Sequence, residues 1–135
     1  MGQTTSTGRP TASGALRIIV ADDNKDAADT LAQLLATWGH EVRVAYDGLA
    51  TLRLAQEYAA NVGLLDLGLP SMDGHQVALH LRQRPEGKDM MLIAVTGHQW
   101  KDADRRSIEY GFDYHLVKPI DLTQLSGLLT KPRAS

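Results

Sequence analysis

The chain has 135 residues, 43% hydrophobic and 22% charged, a composition typical of one globular domain with its own core. Its formal net charge of −2 gives no electrostatic reason to expect nucleic acid or an anionic membrane as a direct partner. The lack of cysteine excludes disulfide bonds, zinc-thiolate sites and thiol nucleophiles.

The N-terminal half begins with a polar leader and continues with two predicted strand-helix units. Residues 1–14 are rich in Thr, Ser and Gly without the apolar segment of a secretory signal, so we predict a disordered leader. No apolar run approaches the roughly 20 residues of a membrane span. The β-branched run LRIIVA (16–21) predicts a first strand, and a helix with apolar residues at helical spacing follows until Gly39. EVRVA (41–45) predicts a second strand, and its mixed polarity is typical of a sheet edge. An Asp-Gly turn then leads into a helix over 49–59.

The C-terminal half continues the alternation. VGLLD (62–66) predicts the third strand, with a helix over 75–84 ending before Pro85, and MLIAVT (91–96) predicts the fourth. A polar fourth helix is expected over 102–110. The fifth strand is FDYHLV (112–117), and Asp121 is expected to cap a last helix that runs to Leu129. Residues 15–130 therefore form one predicted domain, and 131–135 a C-terminal tail.

Five strands that alternate with five helices predict an α/β fold with a parallel sheet covered on both faces. Strands one, three and four are almost continuously apolar, as central strands should be. This pattern agrees with a flavodoxin-like, doubly wound sheet in the strand order 2-1-3-4-5. Ligands bind such sheets beyond the carboxyl ends of the strands, where the order switches between strands one and three.

Chemically active side chains follow the strands at that edge. Asp22 and Asp23 follow strand one, Asp66 ends strand three, Thr96 ends strand four and Lys118 follows strand five. Three neighbouring carboxylates repel one another unless a cation neutralises them, and oxygen ligands suit Mg²⁺ or Mn²⁺. With a lysine and a hydroxyl added, the set predicts a cradle for a phosphoryl group, with Asp66 as the nucleophile.

The segments IIVADDN, LLDLGLPSMDG, AVTG and HLVKP, in this order and spacing, resemble the receiver domain of two-component response regulators. Two segments of the domain, DDNKDAADTLAQLL and GFDYHLVKPIDLTQL, are most similar to receivers attached to, or derived from, hybrid histidine kinases. The resemblance implies that Asp66 is the phosphoacceptor and that the lysine-proline bond is cis. It assigns the metal site to Asp66, to Asp23 as a direct ligand, to Asp22 through water and to the Gly68 carbonyl. The phosphoryl contacts are assigned to Thr96 and to Lys118, which precedes Pro119.

The same resemblance implies a function. The protein is expected to accept a phosphoryl group from a histidine kinase or a histidine phosphotransfer protein, with Mg²⁺ or Mn²⁺ as cofactor. It would catalyse its own phosphorylation and dephosphorylation without being a conventional enzyme. We further expect a cytoplasmic, bacterial monomer that signals through its fourth helix, fifth strand and fifth helix. It would be a stand-alone receiver or a domain excised from a hybrid histidine kinase.

Four positions differ from the common family pattern or are variable in it. The resemblance makes Thr96 and His115 the expected switch residues. His115 stands where Tyr or Phe is common, which predicts a modest phosphorylation switch. Gly97 replaces a common Ala, and Gly68 and His98 occupy variable positions that influence the lifetime of the phosphoryl group.

The same residues admit other interpretations. The Asp22-Asp23 pair could simply cap the first helix, and a degenerate receiver could act as a pure interaction module. A metal-dependent aspartyl phosphatase would need a second acid at position 68, which is glycine, and a flavin-binding flavodoxin would need a phosphate-binding loop in place of DDNKD. The five histidines lack metal-ligand spacing and are interpreted as surface or packing residues.

Overall fold

One parallel sheet of five strands organises the computed structural model, which describes residues 15–97 and 109–130. The sheet order is β2-β1-β3-β4-β5 and every neighbouring pair is parallel, which confirms the predicted flavodoxin-like topology. The strands are β1 Arg17–Ala21, β2 Glu41–Ala45, β3 Val62–Asp66, β4 Met91–Thr96 and β5 Tyr114–Val117. β3 and β4 are buried almost throughout, whereas β2 alternates between exposed and covered positions, as an edge strand should.

Four α-helices connect the strands within the described residues: α1 Lys25–Thr37, α2 Gly48–Glu57, α3 Gly74–Arg82 and the C-terminal helix Leu122–Leu129. Each begins at an Asn or Asp side chain that accepts a hydrogen bond from the backbone N–H three residues later. The capping residues are Asn24, Asp47, Asp73 and Asp121. The predicted cap of the last helix is therefore confirmed, and α1 is capped by Asn24 instead of the preceding acid pair.

Helix boundaries differ from the predicted ones by one or two residues. Gly48 belongs to α2 because Asp47, predicted as part of a turn, caps the helix one residue before it. α3 ends at Arg82, two residues earlier than predicted, and Arg84 is extended because the proline ring that follows it disfavours helical backbone there. A short 3₁₀ helix, Pro85–Gly87, fills the connection to β4.

The helices cover both faces of the sheet. α2 and α3 pack on one face, around Leu52, Val77 and Leu81, and α1 and the C-terminal helix pack on the other, around Leu35 and Leu125. Two separate apolar cores result, one on each side of the strands. This doubly wound arrangement leaves the carboxyl edge of the sheet open for a site.

Some predictions concern residues outside the described part of the chain. The leader (1–14), nearly all of the predicted fourth helix (102–110) and the tail (131–135) belong here. Among the helices that are described, none is long and apolar enough to cross a membrane.

Candidate functional site

The carboxyl ends of β1 and β3 bring three acids together. Asp22 follows the last residue of β1, and Ala21 pairs with Leu65, the neighbour of Asp66. One carboxylate oxygen each from Asp22, Asp23 and Asp66 lies within 4.8 Å of the others. Asp23 is exposed, whereas only 8% of Asp22 is. Such a set of oxygen donors, open to solvent on one side, fits a small divalent cation that keeps some of its water.

A lysine from the other end of the chain joins these acids. Lys118 Nζ donates hydrogen bonds to Asp66 Oδ2 at 2.8 Å and to Asp22 Oδ2 at 3.0 Å. Partial burial acts to lower the pKa of Lys118, but its hydrogen bonds and attraction to Asp66 and Asp22 outweigh this, and the pKa is raised. Lys118 therefore stays protonated at neutral pH and offsets part of the negative charge of the site.

Backbone groups hold the remaining carboxylate oxygens. Asp66 Oδ1 accepts from the backbone N–H of Gly68 at 2.8 Å, and Asp22 Oδ1 accepts from that of Asn24 at 2.9 Å. Both carboxylates are thus fixed at both oxygens, which orients them before any ligand binds. The contribution of Asn24, which caps α1 and also supports Asp22, escaped the sequence analysis, although an Asn directly after an acid pair is a recognisable cap signal.

The end of β5 aims the lysine at the acids. The Lys118–Pro119 peptide bond is cis in the structure. The Lys118 backbone N–H donates to the Thr96 carbonyl at 2.7 Å, which ties the turn to the end of β4. Gly97 follows Thr96 and is exposed, and among the described residues no atom lies within 4 Å of a Cβ built at this position.

Thr96 and His115 form a contact that the sequence analysis did not foresee. Thr96 is only 2% exposed, and its Oγ1 lies 2.9 Å from His115 Nε2, within hydrogen-bond distance. The register of β4 and β5 pairs Ala94 with His115, and alternation along each strand puts Thr96 and His115 on the same face. The resemblance to receivers predicts that both residues belong to the switch, but it does not predict the hydrogen bond between them.

The other described histidines are not part of the acidic cluster. His40 Nδ1 accepts from the Leu16 backbone N–H at 3.0 Å, and the ring of His75 packs against Tyr110. His80 Nδ1 lies 2.8 Å from the Gln76 carbonyl within α3. Within the described ranges the metal-compatible cluster consists of aspartates alone, and His98 falls outside those ranges. The interpretation of His40, His75 and His80 as structural residues agrees with these contacts.

The loop after β3 is held by α2. The Gly48 N–H donates to the Pro70 carbonyl at 3.0 Å, and a Cβ at Gly48 would collide with the Met72 carbonyl. This close approach fixes the segment that carries Gly68 beside Asp66. Position 68 offers only backbone groups, so the second acid of an aspartyl phosphatase is missing there.

The sequence is similar to a known family of domains and to proteins that contain them. The family model of the response regulator receiver domain matches residues 18–130. Sensor protein GacS of Pseudomonas syringae pv. syringae is 30% identical over 127 residues, which are 92% of this chain and 14% of that protein. A 14.6 kDa protein of Leptolyngbya boryana is 30% identical over 83% of this chain and 86% of its own length. Transcriptional regulatory protein TctD of Salmonella typhimurium is 31% identical over 84% of this chain and 50% of that protein.

Solved structures agree with the fold. A response regulator from Chloroflexus aurantiacus aligns with a TM-score of 0.79 at 24% identity, covering 87% of this chain and 99% of the other. A second structure is the receiver domain of sensor histidine kinase PA1611 from Pseudomonas aeruginosa, which holds magnesium in its active-site cleft. It aligns with a TM-score of 0.77 at 23% identity, and the alignment covers 85% of this chain and 94% of the other. The relatives thus include sensor kinases as well as response regulators, and the chain spans a small part of the sensor kinases.

Proposed function

The chain belongs to the family of response regulator receiver domains, the receivers of two-component systems, and we propose that it accepts a phosphoryl group on Asp66. The donor in this proposal is a histidine kinase or a histidine phosphotransfer protein. The observation that carries the proposal is the pairing of Asp66 with Lys118 at 2.8 Å inside a cluster of three carboxylates. A carboxylate that is oriented, partly exposed and next to a protonated lysine can attack phosphorus.

The proposed transfer follows from these positions. An oxygen of Asp66 forms the new bond to phosphorus as the bond to the donor's histidine nitrogen breaks, and the electron pair leaves with that nitrogen. Lys118 remains near the incoming phosphoryl oxygens and balances their charge, and the Thr96 hydroxyl donates a hydrogen bond to one of them. In this way the side chains position and neutralise the group in line with the leaving nitrogen.

We assign a divalent cation, Mg²⁺ or Mn²⁺, to the same acids. Asp23 and Asp66 would bind it directly, Asp22 through water, and the Gly68 carbonyl would supply a backbone ligand. The cluster fits because its donors are all oxygen and one side is open. When bound, the cation screens the phosphoryl oxygens from the three carboxylates, which would otherwise repel an anionic donor.

The proposal also covers the bounds of the receiver domain and the surface through which it signals. Residues 15–130 would form the receiver, with signalling through the predicted fourth helix, β5 and the C-terminal helix. The activity, substrates and partners of any longer protein are part of the same proposal, because the chain spans only 12% of a relative such as sensor histidine kinase RcsC of Salmonella typhi.

Phosphorylation by acetyl phosphate, followed by intact-mass measurement, tests the assignment. We expect one phosphate adduct in the presence of Mg²⁺, none with Asp66→Asn and none in EDTA. Asp26→Asn is the matched control, since it removes an exposed acid of the first turn of α1 outside the cluster, and it should retain the adduct. An adduct that persists in Asp66→Asn, or an undiminished yield in EDTA, would refute the proposal.

A further inference from the structure

The direction of the hydrogen bond between Thr96 and His115 depends on the tautomer of His115, and the burial of the Thr96 hydroxyl favours one direction. In the part of the chain that the structure describes, His115 Nε2 is the sole hydrogen-bond partner of the Thr96 hydroxyl. Thr96 is 2% exposed, and a buried hydroxyl proton without an acceptor is costly. The arrangement that avoids this cost is the one in which the Thr96 hydroxyl donates its proton to an unprotonated His115 Nε2.

The Thr96 hydroxyl that bonds to His115 also lies next to the proposed phosphoryl site. Thr96 is the last residue of β4, and its carbonyl accepts from the backbone N–H of Lys118, which itself contacts Asp66. The hydroxyl therefore lies on the strand end next to the proposed phosphoryl site, while its one proton is directed to β5. A hydroxyl has a single proton, and it can donate fully to only one acceptor at a time.

We propose that His115 is a positioning residue that competes with the phosphoryl group on Asp66 for the Thr96 hydroxyl proton. The inference rests on the proposed function, because it concerns the same site. In the resting protein Thr96 donates to His115, and in the phosphorylated protein it must break that bond to donate to a phosphoryl oxygen. His115 thereby lowers the affinity of the site for the phosphoryl group and stabilises the resting arrangement of Thr96.

The affinity for beryllofluoride, a phosphoryl mimic, measures this competition at equilibrium in the presence of Mg²⁺. His115→Phe keeps a ring of similar size and removes the acceptor. We expect its dissociation constant to fall about 2- to 10-fold, the range that the loss of one neutral hydrogen bond of the resting state predicts. His115→Gln keeps an acceptor at the position of Nε2 and should bind like the wild type. An unchanged or weaker affinity in His115→Phe would overturn the proposal.

A double-mutant cycle separates competition from a general effect of the substitution. Thr96→Val removes the hydroxyl and keeps the shape, so His115→Phe should have no further effect on beryllofluoride affinity in that background. If the same gain appears in Thr96→Val, His115 acts through packing and the proposal is wrong. Backbone NMR spectra of each variant verify the fold.

Two further measurements distinguish the failure of this inference from the failure of the proposed function. The ¹⁵N chemical shift of His115 Nε2 in the resting protein should be that of an unprotonated acceptor nitrogen, and a protonated Nε2 would overturn the inference. Phosphorylation by acetyl phosphate is followed in parallel. A normal adduct on Asp66 with identical beryllofluoride affinities in wild type and His115→Phe refutes the competition alone. Loss of both the adduct and beryllofluoride binding in the wild type refutes the proposed function and the competition together.

Discussion

At the scale of single residues, the surroundings of a side chain decide its charge. Lys118 loses hydration through partial burial, but the two carboxylates that it contacts dominate and raise its pKa. His40 shows the opposite result. Partial burial removes the ring of His40 from water and lowers its pKa. The two groups lie at opposite ends of the strands, so they can be probed independently.

His40 predicts a pH dependence of stability. Because its pKa is lowered in the folded state, the unfolded chain binds the proton more readily, and stability is lost as pH falls below about 6.5. His40→Asn keeps an acceptor at the position of Nδ1 and cannot titrate, so it should flatten the free energy of unfolding between about pH 7 and 5. Urea unfolding at several pH values measures this. A slope that is the same in His40→Asn and the wild type would contradict the prediction.

At the scale of elements, the position of the loop after β3 depends on its contact with the start of α2. α2 meets the loop after β3 so closely that its first residue has to be glycine, since any side chain would overlap the Met72 carbonyl. On the opposite side of the loop, Asp66 accepts the Gly68 N–H. The start of α2 therefore supports the proposed metal ligands without touching them.

Gly48→Ala and Gly127→Ala form a matched pair. Alanine has a higher helix propensity than glycine at both positions. At position 48 the collision must displace the loop, whereas at the exposed position 127 a Cβ has no atom of the described residues within 4 Å. We expect Gly48→Ala to lower the free energy of unfolding by about 1–3 kcal/mol and to weaken Mg²⁺ binding. Gly127→Ala should raise the free energy of unfolding by about 0.5–1 kcal/mol and leave Mg²⁺ binding unchanged. Urea unfolding and Mg²⁺ titration measure these effects, and equal behaviour of the two variants would contradict the argument.

At the scale of the whole molecule, the described residues expose few large apolar side chains that could support tight self-association. Stable interfaces bury roughly 1,200–2,000 Å² and have an apolar centre. The large apolar side chains that are exposed in the described ranges are Leu49, Val117 and Leu122, each 44% or 45% exposed. The first of them begins α2, and the other two flank the turn after β5. Isolated apolar side chains of this kind are normal on a monomer surface.

Sedimentation with and without beryllofluoride tests the oligomeric state. We expect a monomer in both conditions, because His115 holds Thr96 in its resting arrangement and keeps the shift of population small. Backbone NMR shifts should be concentrated around Asp66 and Thr96 and continue along β5. Dimerisation that depends on beryllofluoride would contradict this expectation, because it would require a larger shift of population than the hydrogen bond between Thr96 and His115 allows.

The sequence by itself determined the fold and the residues at the edge of the sheet. Apolar runs that alternate with helical patterns require a parallel sheet covered on both faces, and the carboxyl ends of parallel strands share one edge. The gathering of Asp22, Asp66 and Lys118 could therefore be predicted from where each follows its strand.

Only the tertiary structure decided how these residues are connected, because the bonds join side chains far apart in the chain. Lys118 and Asp22 are separated by 96 positions, yet their atoms lie 3.0 Å apart, and no local pattern specifies that distance. The choice of Asn24 over the acid pair as the cap of α1 leaves Asp22 free to contact Lys118. The bond between Thr96 and His115 likewise depends on strand register and on the burial of the hydroxyl, which arise only when β4 and β5 pair.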